Sequence, residues 1–206
     1  MTHIGFVDIS TLDEGTYNQL YALASLERQQ RADRYLRHED ARRCIIADGL
    51  LRWVLGPDQL SVSTTKRGKP FLPGREDLHF NLSHSGRWVV IAWSDRPVGI
   101  DVETVQMDES KESLARRFFH QDEQDYLFYA DGQERGHRFF EIWTKKESYL
   151  KYLGTGIDRP LNSFCVFQLP EVIFHCYRFE DAVVTLCSTD PECQILPLTP
   201  KMLLGE

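Results

Sequence analysis

One order of elements occurs twice in this chain of 206 residues, and that constrains the fold more than any single motif. A helical stretch, a glycine stop and a set of strands come first, and the same succession then follows again. The first helical stretch spans roughly Thr16 to Leu55. Its later part carries Cys44, Ala47, Leu51 and Leu55 on one stripe, and Gly56-Pro57 ends it. Thr64–Gly74 reads as a loop. His79–Ser83 reads as a strand, Ser83–Gly86 as a turn, and Trp88–Trp93 and Val98–Glu103 as further strands. The second helical stretch covers Ser110–Tyr126 and Gly136–Leu153 and stops at Gly154-Thr155-Gly156. Phe164–Leu169, Val172–Phe179 and Ala182–Cys187 read as its strands. Two local echoes reinforce the repeat. Arg34-Tyr-Leu-Arg-His-Glu-Asp40 resembles Arg117-Phe-Phe-His-Gln-Asp-Glu123, and Leu50-Leu-Arg-Trp-Val-Leu-Gly56 resembles Ser148-Tyr-Leu-Lys-Tyr-Leu-Gly154. The expected fold is α+β, built from two similar halves divided near Glu103–Asp108. We take the division as residues 1–104 and 105–206.

Charge and cysteine content narrow the function classes. The formal net charge is −7, which argues against a general nucleic-acid binder. The charge is unevenly spread. Residues 28–43 hold six arginines against Asp33, Glu39 and Asp40, a local net of +3, whereas residues 101–125 sum to −5. No apolar run approaches the ~20 residues of a membrane span. The start, Met1-Thr-His-Ile-Gly-Phe-Val-Asp8, lacks the basic and apolar regions of a signal peptide. Cys44, Cys165, Cys176, Cys187 and Cys193 form no CxxC pair, so we expect free thiols in a cytoplasmic protein rather than a zinc or disulfide framework.

Three features carry chemistry. In Ile100-Asp101-Val102-Glu103, side chains alternate across a strand, so Asp101 and Glu103 share a face roughly 7 Å apart. Two such carboxylates suit a hard cation if a third oxygen joins them. In Trp143-Thr-Lys-Lys-Glu-Ser-Tyr-Leu-Lys151, Glu147 and Lys151 are one helical turn apart, with Lys146 beside Glu147. The pair reads either as a surface ion pair or as a third metal oxygen with lysines for phosphate. Arg28 and Arg31 lie three apart in the basic stretch, either as a solvated helix face or as a phosphate grip. Phosphate loops of the G-x-x-x-x-G-K-[ST] and G-x-G-x-x-G kinds are missing, as is the G-x-S-x-G elbow.

In order, the chain also contains Gly68-Lys69-Pro70-Phe71, Phe80-Asn81-Leu82-Ser83-His84-Ser85, Val98-Gly99-Ile100-Asp101-Val102-Glu103 and the Trp143–Lys151 block. This succession resembles the Sfp-type 4′-phosphopantetheinyl transferases over about Ser25–Ile157. The resemblance implies a pseudo-twofold pair of α+β halves with the active site between them. It implies Mg2+-dependent transfer of the phosphopantetheine arm of coenzyme A to a serine of an apo acyl or peptidyl carrier protein, with release of 3′,5′-ADP. It implies Asp101, Glu103 and Glu147 as metal ligands and Lys151 as the lysine near the pyrophosphate, with Lys146 preceding the metal glutamate. Ser83 and His84 would hold coenzyme A phosphates, and Lys69 and Arg43 would line the adenosine-phosphate pocket. Arg28 and Arg31 would stand where relatives often carry lysines for the 3′-phosphate. Glu123 would fall at a position proposed for a general base or a water-mediated metal contact. Val102 is apolar where some relatives have a polar ligand. The first half would then contact coenzyme A, and the second would supply Glu147, Lys151 and the carrier docking surface. A monomer that binds neither nucleic acid nor membrane is expected. The alternatives are a non-catalytic coenzyme A or carrier-binding module and a Mg2+-dependent phosphatase or nucleotide hydrolase.

Overall fold

A computed structural model describes residues 1–56, 62–156, 159–179 and 181–206. Pro57 of the expected Gly56-Pro57 stop and Ile157, the end of the resemblance, lie outside the described residues. The chain opens with strand β1 (Thr2–Asp8), then helices α1 (Glu14–Leu23), α2 (Leu26–Asp33) and α3 (His38–Leu55). A short ladder of β2 (Ser63–Thr64) with β3 (Pro70–Phe71) leads to β4 (His79–Ser85), β5 (Trp88–Ser94) and β6 (Gly99–Thr104). Helices α4 (Glu109–Phe118), α5 (Gln121–Phe128) and α6 (Gly132–Leu153) follow, then β7 (Ile173–Arg178), β8 (Ala182–Ser188) and β9 (Cys193–Pro197). Side chains close the helix starts as the sequence dictates: Asp13, Ser25 and Asp108 each accept a backbone N–H of the first turn of α1, α2 and α4. Gly154, with φ +66°, stops α6. No helix among the described residues is long and apolar enough to cross a membrane.

Two main sheets result. One runs β4-β5-β1-β9, antiparallel except for the parallel β1–β9 pair; the other is the antiparallel β6-β8-β7. The architecture is the expected α+β, but the sheets do not divide at residue 104. Strand β6 pairs with β8 in the second sheet, and β9 returns to pair with β1 in the first. Helix α3 packs on the first sheet around Ile45, Leu50, Val89 and Ile91, and α6 on the second around Phe139, Ile142 and Val183. A third apolar layer, with Val90 and Ala92 facing Ile100, Val102, Val184 and Leu186, joins the sheets. Ile100 and Val102 therefore point into that seam, which turns Asp101 and Glu103 to the other face, as the alternation requires.

Where β4 passes β6, side chains replace a backbone ladder. Asn81 Oδ1 accepts the Ile100 N–H at 2.9 Å, and Ser85 Oγ accepts the Thr104 N–H at 3.2 Å. Ser83, Ser85 and Asn81 alternate along one face of β4. The expected turn at Ser83–Gly86 thus proves to be strand as far as Ser85. The turn is made at Gly86, whose φ is +53° and where a Cβ would meet Thr104 Oγ1 at 2.3 Å.

Three further differences have identifiable causes. Phe164–Leu169 is irregular, because its polar backbone groups are satisfied by side chains: Val166 N–H donates to Glu123 Oε1 at 2.8 Å, and Phe164 O accepts from Lys146 Nζ at 2.8 Å. Part of the Thr64–Gly74 loop forms the β2–β3 ladder. Strands β1 and β9 carry little signal; β1 has Gly5 at its centre, where Leu198, Ile91 and Trp93 crowd within 3.1–3.3 Å of where a Cβ would stand.

At Gly99, β6 comes close to the backbone of α6. A Cβ there would lie 2.0 Å from Ser148 O and 2.3 Å from Tyr152 N, both backbone atoms of α6. Gly99→Ala is expected to cost about 2–3 kcal/mol, as overpacking against backbone does. That loss lowers Tm by roughly 5–10 °C in a chain of this size. A thermal melt unchanged within one degree would contradict the close seating of α6 on β6.

Candidate active site

The seat of α6 on β6 brings the acidic strand face against Lys151 and Glu147. Lys151 Nζ donates to Asp101 Oδ1 at 2.6 Å, to Ser83 Oγ at 3.0 Å and to Ile100 O at 3.1 Å. Ser83 Oγ donates in turn to Asp101 Oδ1 at 2.8 Å, and Ser85 Oγ to Glu103 Oε2 at 2.8 Å. Ser83 therefore orients the carboxylate–lysine pair. Lys151 pairs across the interface with Asp101 rather than along its own helix with Glu147. Glu147, one turn earlier on α6, lines the cleft and takes no hydrogen bond from any described residue.

The electrostatics are those of crowded, poorly solvated carboxylates. Burial raises the pKa of Asp101 despite the opposing Lys151 charge. Glu103 is raised by burial and by Asp101. Glu147 is raised by burial and then by the negative charges of Asp101 and Glu103. Asp101 is only 4% exposed, and its Oδ2 is buried without a hydrogen-bond partner. An orphaned carboxylate oxygen flanked by two further carboxylates is an all-oxygen donor set that fits a hard divalent cation. The three are not drawn into a closed cluster. Among the described residues, the group whose ligand atoms all lie within 4.8 Å of one another is His120, Asp122 and Cys165, none of which lines the cleft.

Two hollows adjoin. One, of about 280 Å³, lies between Lys69, Glu147, Lys151 and Gly154. The other, of about 340 Å³, lies between Ser25, Arg28, Arg31 and Asp48. Both are lined by Gly68, Pro70 and Leu82, so the two hollows are neighbours. Each is at the low edge of the roughly 300–1,000 Å³ typical of ligand sites. Arg28 Nε stands 3.3 Å from Asp48 Oδ1, and Arg31 Nε donates to Tyr35 OH at 3.3 Å. Arg43 is tied to Asp40 and to Gly86 O. His84 is exposed beside these cations; partial loss of water and then the charges of Arg43, Lys151 and Arg31 hold its pKa below the ordinary histidine value.

Several expected site residues take other roles. Glu123 and Lys146 are fully buried against each other at 2.8 Å. Glu123 also accepts the His120 and Val166 N–H groups, and Lys146 also donates to Leu161 O and Phe164 O. Sealed from solvent on every side, neither is placed to meet a ligand or move a proton, and both are structural residues rather than the expected site residues. Lys69 lines the cleft, but its ammonium donates to Tyr152 O at 2.8 Å and Val98 O at 3.2 Å, and burial lowers its pKa to about 8. It clamps the β3 loop to α6 and the start of β6. Two contributors escaped the sequence reading. Ser85, quoted in the motif without a role, holds Glu103. Asp48, an acid within an apolar helix stripe, holds Arg28; that placement was the signal that could have found it.

Known proteins resemble this chain in sequence. The family model of the 4′-phosphopantetheinyl transferase superfamily matches residues 97–191, and that of the 4′-phosphopantetheinyl transferase N-terminal domain matches residues 13–96. The junction between them falls before β6, as the sheet pairing does. A 4′-phosphopantetheinyl transferase of Bacillus subtilis is 36% identical over 201 residues, 88% of this chain and 89% of its own length. The transferase Sfp of Bacillus subtilis strain 168 is 34% identical over 81% of this chain and 80% of its own. The transferase psf-1 of Bacillus pumilus is 35% identical over 91% of this chain and 84% of its own. A chain with these relatives belongs to the Sfp-type 4′-phosphopantetheinyl transferase family and is a phosphopantetheinyl transferase.

Proposed function

We propose that the chain transfers the 4′-phosphopantetheine arm of coenzyme A to a serine of an apo acyl or peptidyl carrier protein, with Mg2+ held by Asp101, Glu103 and Glu147. The observation that carries this reading is the buried, partnerless Asp101 Oδ2, whose ion-pair partner Lys151 lines one hollow with Glu147 while Arg28 and Arg31 line the adjoining one. An elongated ligand with a nucleotide 3′-phosphate at one end and a pyrophosphate toward the other matches that charge order. We further take the protein to act as a monomer in the cytoplasm.

In the proposed reaction the carrier serine Oγ forms a bond to the β-phosphorus, the anhydride P–O bond breaks, and 3′,5′-ADP leaves. Lys151 stabilises negative charge growing on the phosphoryl oxygens. Its hydrogen bonds to Ser83 and Ile100 O fix it beforehand, so little reorganisation is needed. Glu147, which has no protein hydrogen-bond partner among the described residues, accepts the serine proton, directly or through one water. A divalent cation, when bound, supplies charge neutralisation to the pyrophosphate. Arg28 and Arg31 bind the 3′-phosphate, each as a two-pronged donor.

Mass spectrometry of apo carriers incubated with the protein, coenzyme A and Mg2+ tests the reading. A phosphopantetheine increment on a carrier is expected. Coenzyme A binding without an increment would instead support a non-catalytic module, and free phosphate without one would support a hydrolase.

His84 gives a pH prediction. Its free-state pKa is depressed, so it is neutral near pH 7; a phosphate beside it raises that pKa. Coenzyme A binding should therefore take up a proton, and affinity from this group should rise as pH falls through the interval between the free and bound values. Calorimetry in two buffers of different ionisation enthalpy measures the uptake. Equal uptake in wild type and His84→Asn would remove His84 from the phosphate site.

A further inference from the structure

We propose that Asp48 is a positioning residue that holds Arg28 ready for the 3′-phosphate and thereby sets the preference for a 3′-phosphorylated donor. This rests on the reading above that Arg28 meets that phosphate.

Asp48 stands on α3 among buried residues, with Cys44, Ile45, Ala47, Leu50 and Leu51 around it in sequence. It is itself only 4% exposed. A carboxylate in such surroundings is costly unless a charge partner meets it. Its close partner is Arg28 of α2, whose Nε lies 3.3 Å from Oδ1; Oδ2 is buried with no hydrogen bond. Arg52, one turn further along α3, adds only a longer-range positive charge.

The contact uses the inner nitrogen of the guanidinium. The side-chain hydrogen bond that the Arg28 guanidinium makes among the described residues is the 4.0 Å approach of Nη1 to Cys44 Sγ, a weak acceptor. The outer edge of the fork is thus left for a ligand in the hollow that Arg28, Arg31 and Asp48 line together. Arg31 is held in the same manner, by its Nε on Tyr35 OH. An arginine free in solution loses much rotamer freedom when a ligand fixes it. One already held by its inner nitrogen loses less, and the saving appears as affinity for the phosphate.

Asp48 touches no reacting atom, so the signature is a split between KM and kcat that depends on the 3′-phosphate. Two neutral replacements of different size, Asp48→Asn and Asp48→Ser, provide a folded variant even if one of them fails. Each is compared with Arg28→Ala and with the Arg28→Ala/Asp48→Asn pair, using coenzyme A and dephospho-coenzyme A as donors. The expected result for Asp48→Asn is a rise in KM for coenzyme A of about fivefold to tenfold, with kcat and the dephospho-coenzyme A KM within about twofold of wild type. Because Asp48 acts through Arg28, adding Asp48→Asn to Arg28→Ala should change the ratio of the two KM values no further. An equal KM rise for both donors, or a full additive effect in the pair, would overturn the proposal in favour of a merely structural carboxylate. If Arg28→Ala itself leaves the KM ratio at the wild-type value, the phosphate reading of Arg28 fails, and this proposal with it.

Discussion

Asp101→Asn and Glu147→Gln are each expected to lower kcat/KM for carrier modification by about 10²–10³-fold or more, the size of losing one preorganised charge at a phosphoryl-transfer centre. Both variants should melt close to wild type. The reason lies in the same crowding that marks the site. Burial disfavours the charge of both carboxylates, and at Glu147 the negative charges of Asp101 and Glu103 add to it, so a neutral isostere removes a cost of folding. Asp101→Asn still accepts from Ser83 and Lys151 through its amide oxygen. Steady-state kinetics with a thermal melt on the same preparation separates the two effects. Activity within tenfold of wild type in either folded variant would remove that residue from the centre.

The opposite pattern is expected for Lys146 and Glu123. Breaking this solvent-inaccessible pair, by Glu123→Ala or Lys146→Ala, strands a buried charge and costs about 3–5 kcal/mol. In a chain of this size that lowers Tm by roughly 10 °C. The loss is compounded locally, because the pair also carries the backbone of Leu161, Phe164 and Val166 and caps α5 at His120. Molecules that remain folded below the transition should turn over with kcat within a fewfold of wild type. A variant of normal stability with a large kcat defect would restore Glu123 to the chemistry and contradict its placement in the core.

These contrasting pairs explain what the sequence made legible. The D-x-E strand face was readable because alternation on a strand is strict: Ile100 and Val102 enter the seam and force Asp101 and Glu103 outward. The helical block was readable because α6 is long and periodic, and Gly154 ends it as expected. Lys146 and Glu123 were not, since a lysine beside a metal-type glutamate looks the same in one dimension whether it faces a cleft or a core. A helix turns about 100° per residue, so Lys146 and Glu147 point to different surroundings: Phe164 and Glu123 for one, the cleft for the other. Strand β9 and the placement of β6 were hidden for another reason. Both depend on pairing between distant segments, β9 with β1 and β6 with β8, which no local pattern encodes. Ser83 and Ser85 looked like turn residues because their hydroxyls make side-chain bonds to β6 that local propensity cannot register.

The central claim is that the seam between β6 and α6 is a cation-dependent transfer centre. Its most direct test is the intact mass of an apo carrier after single-turnover incubation with coenzyme A, with Mg2+ or with a chelator, for the wild type and Asp101→Asn. A phosphopantetheine increment is expected for the wild type with Mg2+, none after chelation, and none for Asp101→Asn in either condition. A wild-type increment that survives chelation, or an Asp101→Asn increment equal to wild type, would contradict that claim.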